Sequence, residues 1–185
     1  MNELKTVKIK SKIKMVIDGI NVRVDEGTTI LQAANKLGIH IPTLCYHEQI
    51  KPHGACRLCI VEIEKNQKSK IVASCAYPSE EGLVVHTGSS KVEQIKKNLV
   101  ELYMALFPFN PEIKNLAKKY GLTKTRYKKE YNYCILCGLC VRYCEEVKKR
   151  NSIGFIGRGI NKKVAFIPES SFFKNCQDCM ECVEI

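Results

Sequence analysis

The spacing of the cysteines constrains this chain more than any other feature. Eleven cysteines fall within 185 residues in three sets: Cys45, Cys56, Cys59 and Cys75; Cys134, Cys137, Cys140 and Cys144; and Cys176, Cys179 and Cys182. An odd number does not close into a disulfide framework. No apolar core of a signal peptide follows the lysine-rich segment 1–14, and no window approaches the ~18 consecutive apolar residues of a membrane span. The expected compartment is therefore a reducing cytoplasm, where clustered cysteines serve as metal ligands rather than disulfides.

Each set specifies its own kind of centre. In the first, Cys45-x10-Cys56-x2-Cys59-x15-Cys75, the close pair wraps a metal from one loop while the other two cysteines come from elsewhere in the fold. Small residues, Gly54, Ala55 and Ala73, stand where backbone must approach inorganic sulfide, and N–H groups aimed at sulfur stabilise cluster charge. A zinc ribbon would pair two short knuckles, and only one is present, so a [2Fe-2S] cluster is expected. The second set, Cys134-x2-Cys137-x2-Cys140-x3-Cys144, has the bacterial ferredoxin spacing, with Glu145 where a proline usually follows. The third, Cys176-x2-Cys179-x2-Cys182, lies just before Ile185.

In two-cluster chains of this spacing, the fourth cysteine of a run serves the other cluster. Cys144 then completes Cys176, Cys179 and Cys182 around one [4Fe-4S] cubane. Cys134, Cys137 and Cys140 hold a second cubane, whose fourth ligand lies beyond Ile185 or is absent. In the latter case that cluster is [3Fe-4S] or is completed by another group; the break one residue short of the next motif position favours a chain that continues.

The residues around the cysteines predict an α+β fold. Segments 14–19 and 20–24 alternate as strands about the turn Asp18-Gly19. Thr28 or Thr29 caps a short helix carrying Ile30, Leu31, Ala34 and Leu37, which Gly38 ends. Segments 57–64, 70–75 and 82–86 read as further strands of a β-grasp-like sheet. Ser90 and Glu93 form a capping-box pattern for a helix over 90–107, with an apolar stripe of Val92, Ile95, Leu99, Leu102, Tyr103 and Leu106. Asn110-Pro111-Glu112 opens a second helix that Gly121 closes. The expected organisation is a [2Fe-2S] domain over 1–88, a helical linker over 89–130 and a bacterial-type 2[4Fe-4S] ferredoxin-like domain over 131–185.

The formal net charge is +11, with thiols counted as neutral. Three four-thiolate clusters, each about −2 when oxidised, lower it to about +5 and leave a basic surface suited to an acidic partner. Lys124, Arg126, Lys128 and Lys129 interleave with Tyr120, Tyr127, Tyr131 and Tyr133, but no nucleic-acid motif accompanies them. A solvated linker anchored by tyrosines is expected, with no nucleic-acid partner. His47 and His53 lie in the first ligand loop beside a full set of cysteines, and His40 and His86 have no ligand context. Gly154-Phe-Ile-Gly157-Arg-Gly159 lacks the strand–glycine loop–helix setting of a dinucleotide site and reads as a tight hairpin.

Two stretches carry a family resemblance. Thr43-Leu-Cys45-Tyr-His47 with His53-Gly-Ala-Cys56-Arg-Leu-Cys59-Ile-Val-Glu62 resembles the N-terminal [2Fe-2S] domain of the complex I iron–sulfur subunit family. Tyr133-Cys134-Ile-Leu-Cys137-Gly-Leu-Cys140-Val-Arg-Tyr-Cys144-Glu-Glu-Val147 and Ile153–Gly159 are similar to its following ferredoxin-like domain. The family includes the diaphorase small subunit of NAD-linked [NiFe] hydrogenases, the N-terminal part of [FeFe] hydrogenases and subunits of NAD-dependent formate dehydrogenases. Many members hold another cluster on one histidine and three cysteines after the long helix; here residues 106–121 contain neither His nor Cys. That departure points to a cytoplasmic NAD(P)-linked hydrogenase, transhydrogenase or formate dehydrogenase assembly rather than the respiratory complex.

The resemblance implies an electron-relay subunit, not catalytic alone. It would work in a hetero-oligomer between a flavin-containing NAD(P)H-oxidoreductase subunit and a second redox subunit, with one [2Fe-2S] and two [4Fe-4S] clusters. Two alternatives stand beside it: the electron-input region of a longer enzyme such as an [FeFe] hydrogenase, and a zinc-stabilised interaction module.

Overall fold

The computed structural model describes residues 11–130, 132–167, 176 and 179–185. The chain divides into two compact units, 1–42 with 59–93 and 43–58 with 94–185.

The first unit is α+β. Strands β1 (Lys12–Ile17) and β2 (Ile20–Asp25) pair antiparallel with Ile17 opposite Ile20. Asp18 (φ 47°) and Gly19 (φ 82°) form the turn between them, the two successive positive φ values that match the twist of a two-residue hairpin. Helix α1 (Ile30–Lys36) starts at Thr29, whose side chain accepts from Gln32 N while the Gln32 side chain accepts from Thr29 N. Seven residues are too few for a self-supporting helix, so the buried Ile30, Leu31, Ala33 and Ala34 hold it in place.

Strands β3 (Ile60–Lys65), β4 (Lys68–Ala73) and β5 (Val84–His86) complete a five-stranded sheet of order β2-β1-β5-β3-β4, with β1 and β5 parallel. Two strands, a helix and further strands in one sheet is the expected arrangement. Strand β3, however, begins at Ile60 rather than at residue 57: Arg57 takes φ 57°, which breaks the extended run. Ile17, Val24, Ile30, Leu31, Val61, Leu83 and Val85 are almost wholly buried. Burial of each larger aliphatic side chain contributes about 1.5–3 kcal/mol, more than the capping bonds contribute.

Helix α2 (Ser90–Leu106) is capped one residue earlier than expected, because Ser89 Oγ accepts from Val92 N at 3.4 Å. Its buried residues also differ from the expected stripe. Val92, Lys96, Val100, Glu101 and Ala105 are buried, whereas Leu102 is 39% exposed.

The second unit contains the loop 43–58, most of α2, α3 (Pro111–Lys119), α4 (Leu139–Glu146) and the hairpin β6 (Ile153–Ile156)–β7 (Lys163–Phe166). Asn110 caps α3 by accepting from Ile113 N at 3.1 Å, and Gly121 follows the helix at φ 64°. The hairpin lies where the glycine-rich segment predicts one, but the connection 157–162 contains a 3-10 turn over Gly159–Asn161 and is not tight.

Of the tyrosines expected to anchor the basic segment 123–130, Tyr120 packs on the cluster around Cys45 and Cys56, Tyr133 is exposed but stacks on Phe109, Tyr127 is exposed, and Tyr131 lies outside the described residues. Glu101 also holds the segment, accepting from Arg126 N at 2.8 Å, Arg126 Nε at 2.9 Å and Arg126 Nη2 at 2.7 Å, while Thr125 Oγ1 donates to Glu101 O at 3.1 Å. The Arg126 side chain and backbone N–H hold the Glu101 carboxyl down to about 2. Its proton is bound less readily in the folded chain than in the unfolded one. The stabilisation is therefore full above about pH 4.5 and is lost as pH falls towards about 2. Glu101→Gln is expected to lower the Tm at pH 7, and the gap to the unmodified protein is expected to close progressively below pH 4.5. A gap independent of pH over that range would show that packing, not charge, is what Glu101 supplies.

Candidate metal centres

In the first unit, the register of β3 and β4 sets Ile60 opposite Ala73, and Ser74 N donates to Cys59 O at 3.1 Å. Cys59 and Cys75 therefore flank the same end of the ladder, one just before β3 and one just after β4. Their Sγ atoms lie 3.3 Å apart, and both residues are buried. Ile30 N donates to Tyr77 O and Leu31 N to Ser74 O, which fastens the Cys75 segment to the start of α1.

In the second unit, Cys45 and Cys56 are buried with Leu58, Val100 and Ala117, and Leu44, Leu99, Tyr103 and Leu116 pack on them. Cys56 N donates to Cys45 Sγ and Leu44 N to Cys56 Sγ, each at 3.4 Å. The Cys45 thiol and the surrounding N–H groups hold Cys56 well below the usual thiol range, while the bond to Cys56 and burial push Cys45 up. These N–H groups favour anionic sulfur, as a cluster ligand requires. Tyr103 Oη donates to Cys56 O at 2.9 Å; burial, followed by the two sulfurs, raises its hydroxyl to about 12. The sequence places Tyr103 only on an apolar stripe, and its role as the anchor of the Cys56 carbonyl emerges from the fold.

Helix α4 carries Cys140 and Cys144. It starts at Gly138 (φ 74°), where a Cβ would also come within 3.1 Å of Phe155 Cζ, so both conformation and space call for glycine. Upstream, Leu136 (φ 51°) turns the chain so that Leu136 N donates to Cys134 Sγ at 3.4 Å. Burial raises the Cys140 thiol, with smaller contributions from the nearby sulfurs of Cys137, Cys182 and Cys134. Cys134 is exposed.

A separate pocket is lined by Cys144, Cys176, Cys179 and Cys182, together with Tyr143, Lys148, Arg150, Ser152 and Ile153. It gathers the third set of cysteines with the last cysteine of the second. The Cys144 thiol donates to Arg150 O at 3.3 Å, and Arg150 N donates back to Cys144 O at 2.8 Å. Glu181 accepts from Lys148 Nζ at 2.5 Å and from Tyr143 Oη at 3.1 Å, beside Cys179 Sγ at 3.7 Å. Lys148, then Tyr143, hold the Glu181 carboxyl below its usual range. Among the described residues, no three His, Cys, Asp or Glu side chains close on one point as a single metal ion requires.

His47 Nδ1 accepts from Gln49 N at 3.3 Å, His86 Nε2 faces Glu64 at 3.6 Å, and His40 and His53 are exposed.

Residues 10–90 match the 2Fe-2S iron-sulfur cluster binding domain family. An NADH-quinone oxidoreductase subunit of Rickettsia typhi is 33% identical over 177 residues, 82% of this chain and 26% of that protein. These matches fit the iron–sulfur subunit family of complex I-like assemblies. An NADH-quinone oxidoreductase subunit of Rhizobium meliloti is 30% identical over 200 residues, 94% of this chain and 23% of that protein. The mitochondrial NADH-ubiquinone oxidoreductase 78 kDa subunit of Candida albicans is 28% identical over 83% of this chain and 25% of its own length. A chain of NAD+-reducing [NiFe]-hydrogenase, solved in its H2-reduced state, superimposes with TM-score 0.75 at 28% identity, covering 85% of this chain and 76% of that one.

The chain spans about a quarter of the length of these curated relatives. It carries an iron–sulfur electron-transfer domain, with a 2Fe-2S centre in the matched region 10–90. No helix among the described residues is long and apolar enough to cross a membrane.

Proposed function

We propose that this chain relays single electrons in the cytoplasm, between a flavin-containing NAD(P)H-oxidoreductase subunit and a second redox subunit of hydrogenase or formate dehydrogenase type. Cys45, Cys56, Cys59 and Cys75 hold a [2Fe-2S] cluster in a domain over residues 1–88. Residues 89–130 link it to a ferredoxin-like domain over 131–185. There Cys144, Cys176, Cys179 and Cys182 hold one [4Fe-4S] cluster, and Cys134, Cys137 and Cys140 hold another. When bound, such clusters accept and release one electron at a time, and the protein supplies ligands, spacing and the surrounding charge.

The observation that carries the two-cubane reading is the pocket lined by Cys144, Cys176, Cys179 and Cys182. A cysteine from α4 stands with a set more than thirty residues further on, the crossed ligation that ferredoxin spacing requires. For the [2Fe-2S] centre, the support is burial of its four cysteines, N–H groups directed at Cys45 and Cys56, and the family match over residues 10–90.

The test is iron, zinc and acid-labile sulfide per chain on anaerobically purified protein, with low-temperature EPR before and after dithionite. About 10 Fe with reduced [2Fe-2S] and [4Fe-4S] signals is expected; about 9 Fe with an oxidised [3Fe-4S] signal would mean that the Cys134 cluster has three irons. Zinc without sulfide would overturn the electron-transfer role.

A further inference from the structure

Within the second unit, the loop that carries Cys45 is fastened to the helix that carries Cys140 and Cys144 by one pair of charged side chains. Arg142 Nη1 donates to Cys45 O at 3.5 Å, and Arg142 Nη2 donates to Lys51 O. Glu146, one turn along α4, accepts from Lys51 N at 2.7 Å and faces Arg142 Nε at 3.4 Å. The loop's two carbonyls and one N–H are thus met by a guanidinium fork and a carboxylate. The two side chains are only 11% and 24% exposed.

A planar guanidinium bonds two carbonyls at once, which an ammonium on a flexible stem does not reproduce. A partly buried charge is also screened little by salt. Reduction adds one negative charge to a cluster, so a nearby cation raises the reduction potential and an uncompensated anion lowers it.

We propose that Arg142 and Glu146 are positioning residues that clasp the Cys45 loop to α4 and set the potential of the [2Fe-2S] cluster through opposed charges. The proposal rests on the assignment of Cys45 as a ligand of that cluster. Loss of the cation leaves Glu146 uncompensated beside the loop, and loss of the anion leaves Arg142 uncompensated. The two neutral variants therefore move the potential in opposite directions, which a merely structural contact would not do.

The experiment is a redox titration of the [2Fe-2S] EPR signal in the full chain, for the unmodified protein, Arg142→Gln and Glu146→Gln. Arg142→Gln is expected to lower the midpoint by the equivalent of about a tenfold change in the oxidised-to-reduced ratio, about 59 mV for one electron, and Glu146→Gln to raise it similarly. If Arg142→Gln loads no cluster, Glu146→Gln decides: an upward shift sustains the clasp, and an unchanged or lowered midpoint overturns it. Midpoints unchanged in both variants also overturn it, with the ligand assignment intact. Absence of a [2Fe-2S] signal from the unmodified protein would instead remove the cluster assignment on which the clasp rests.

Discussion

Cys59→Ala is expected to abolish the [2Fe-2S] EPR signal while both cubane signals remain. Cys59 has no exposure to solvent, its sulfur lies 3.3 Å from that of Cys75, and its carbonyl is tied to Ser74 N. Truncation to alanine leaves the backbone ladder between β3 and β4 intact and removes one of the four proposed ligands. Water cannot easily take the vacated position, because the neighbouring Ile60 and Val61 are also buried.

On the proposed count of about 10 Fe per chain, iron should fall by about a fifth, the share of a [2Fe-2S] centre. The Tm should fall as well, because metal-binding free energy in small domains is part of folding free energy. Metal analysis, EPR and thermal unfolding on the same preparation check the three statements together. Survival of an unaltered [2Fe-2S] signal would show that Cys59 is not a ligand.

The second large effect concerns Cys144. By position in the chain it belongs with Cys134, Cys137 and Cys140, yet in the fold it lines a pocket with Cys176, Cys179 and Cys182. Cys144→Ala should therefore damage a different cubane from the one that Cys137→Ala damages. The double variant distinguishes the two arrangements. With crossed ligation it loses both cubanes and keeps about 2 Fe per chain; if Cys144 serves the Cys134 set, one cubane survives and about 6 Fe remain. Loss of the thiol's bond to Arg150 O removes only about 1 kcal/mol, so a loss of iron on that scale would report ligation rather than unfolding. Circular dichroism of each variant checks that the helices persist.

Local patterns made much of this protein readable in advance. The Asp18-Gly19 hairpin, the Thr29 cap, the Asn110 cap and the Gly121 stop each depend on residues within a few positions of one another, so sequence alone specifies them. The closely spaced cysteines, Cys56 with Cys59, Cys134 with Cys137 and Cys140, and Cys176 with Cys179 and Cys182, stand out for the same reason: a spacing of two residues suits one loop wrapping a small inorganic core.

The details that differ are those decided by distant partners. Helix α2 buries Lys96 and Glu101 and leaves Leu102 exposed, because Arg126, twenty-five residues on, gives the Glu101 carboxylate a partner and the helix turns that face inward. Tyr103 reads as a core aromatic until Cys56 O is found beside its hydroxyl, 47 residues away in the chain. In the sequence Arg142 is only a residue between Cys140 and Cys144; in the fold the carbonyls of Cys45 and Lys51 come within its reach. The close cysteine spacing is thus a short-range property of this chain. The groups that hold the ligands' backbone, and the charges beside them, come into place only when segments far apart in sequence fold together.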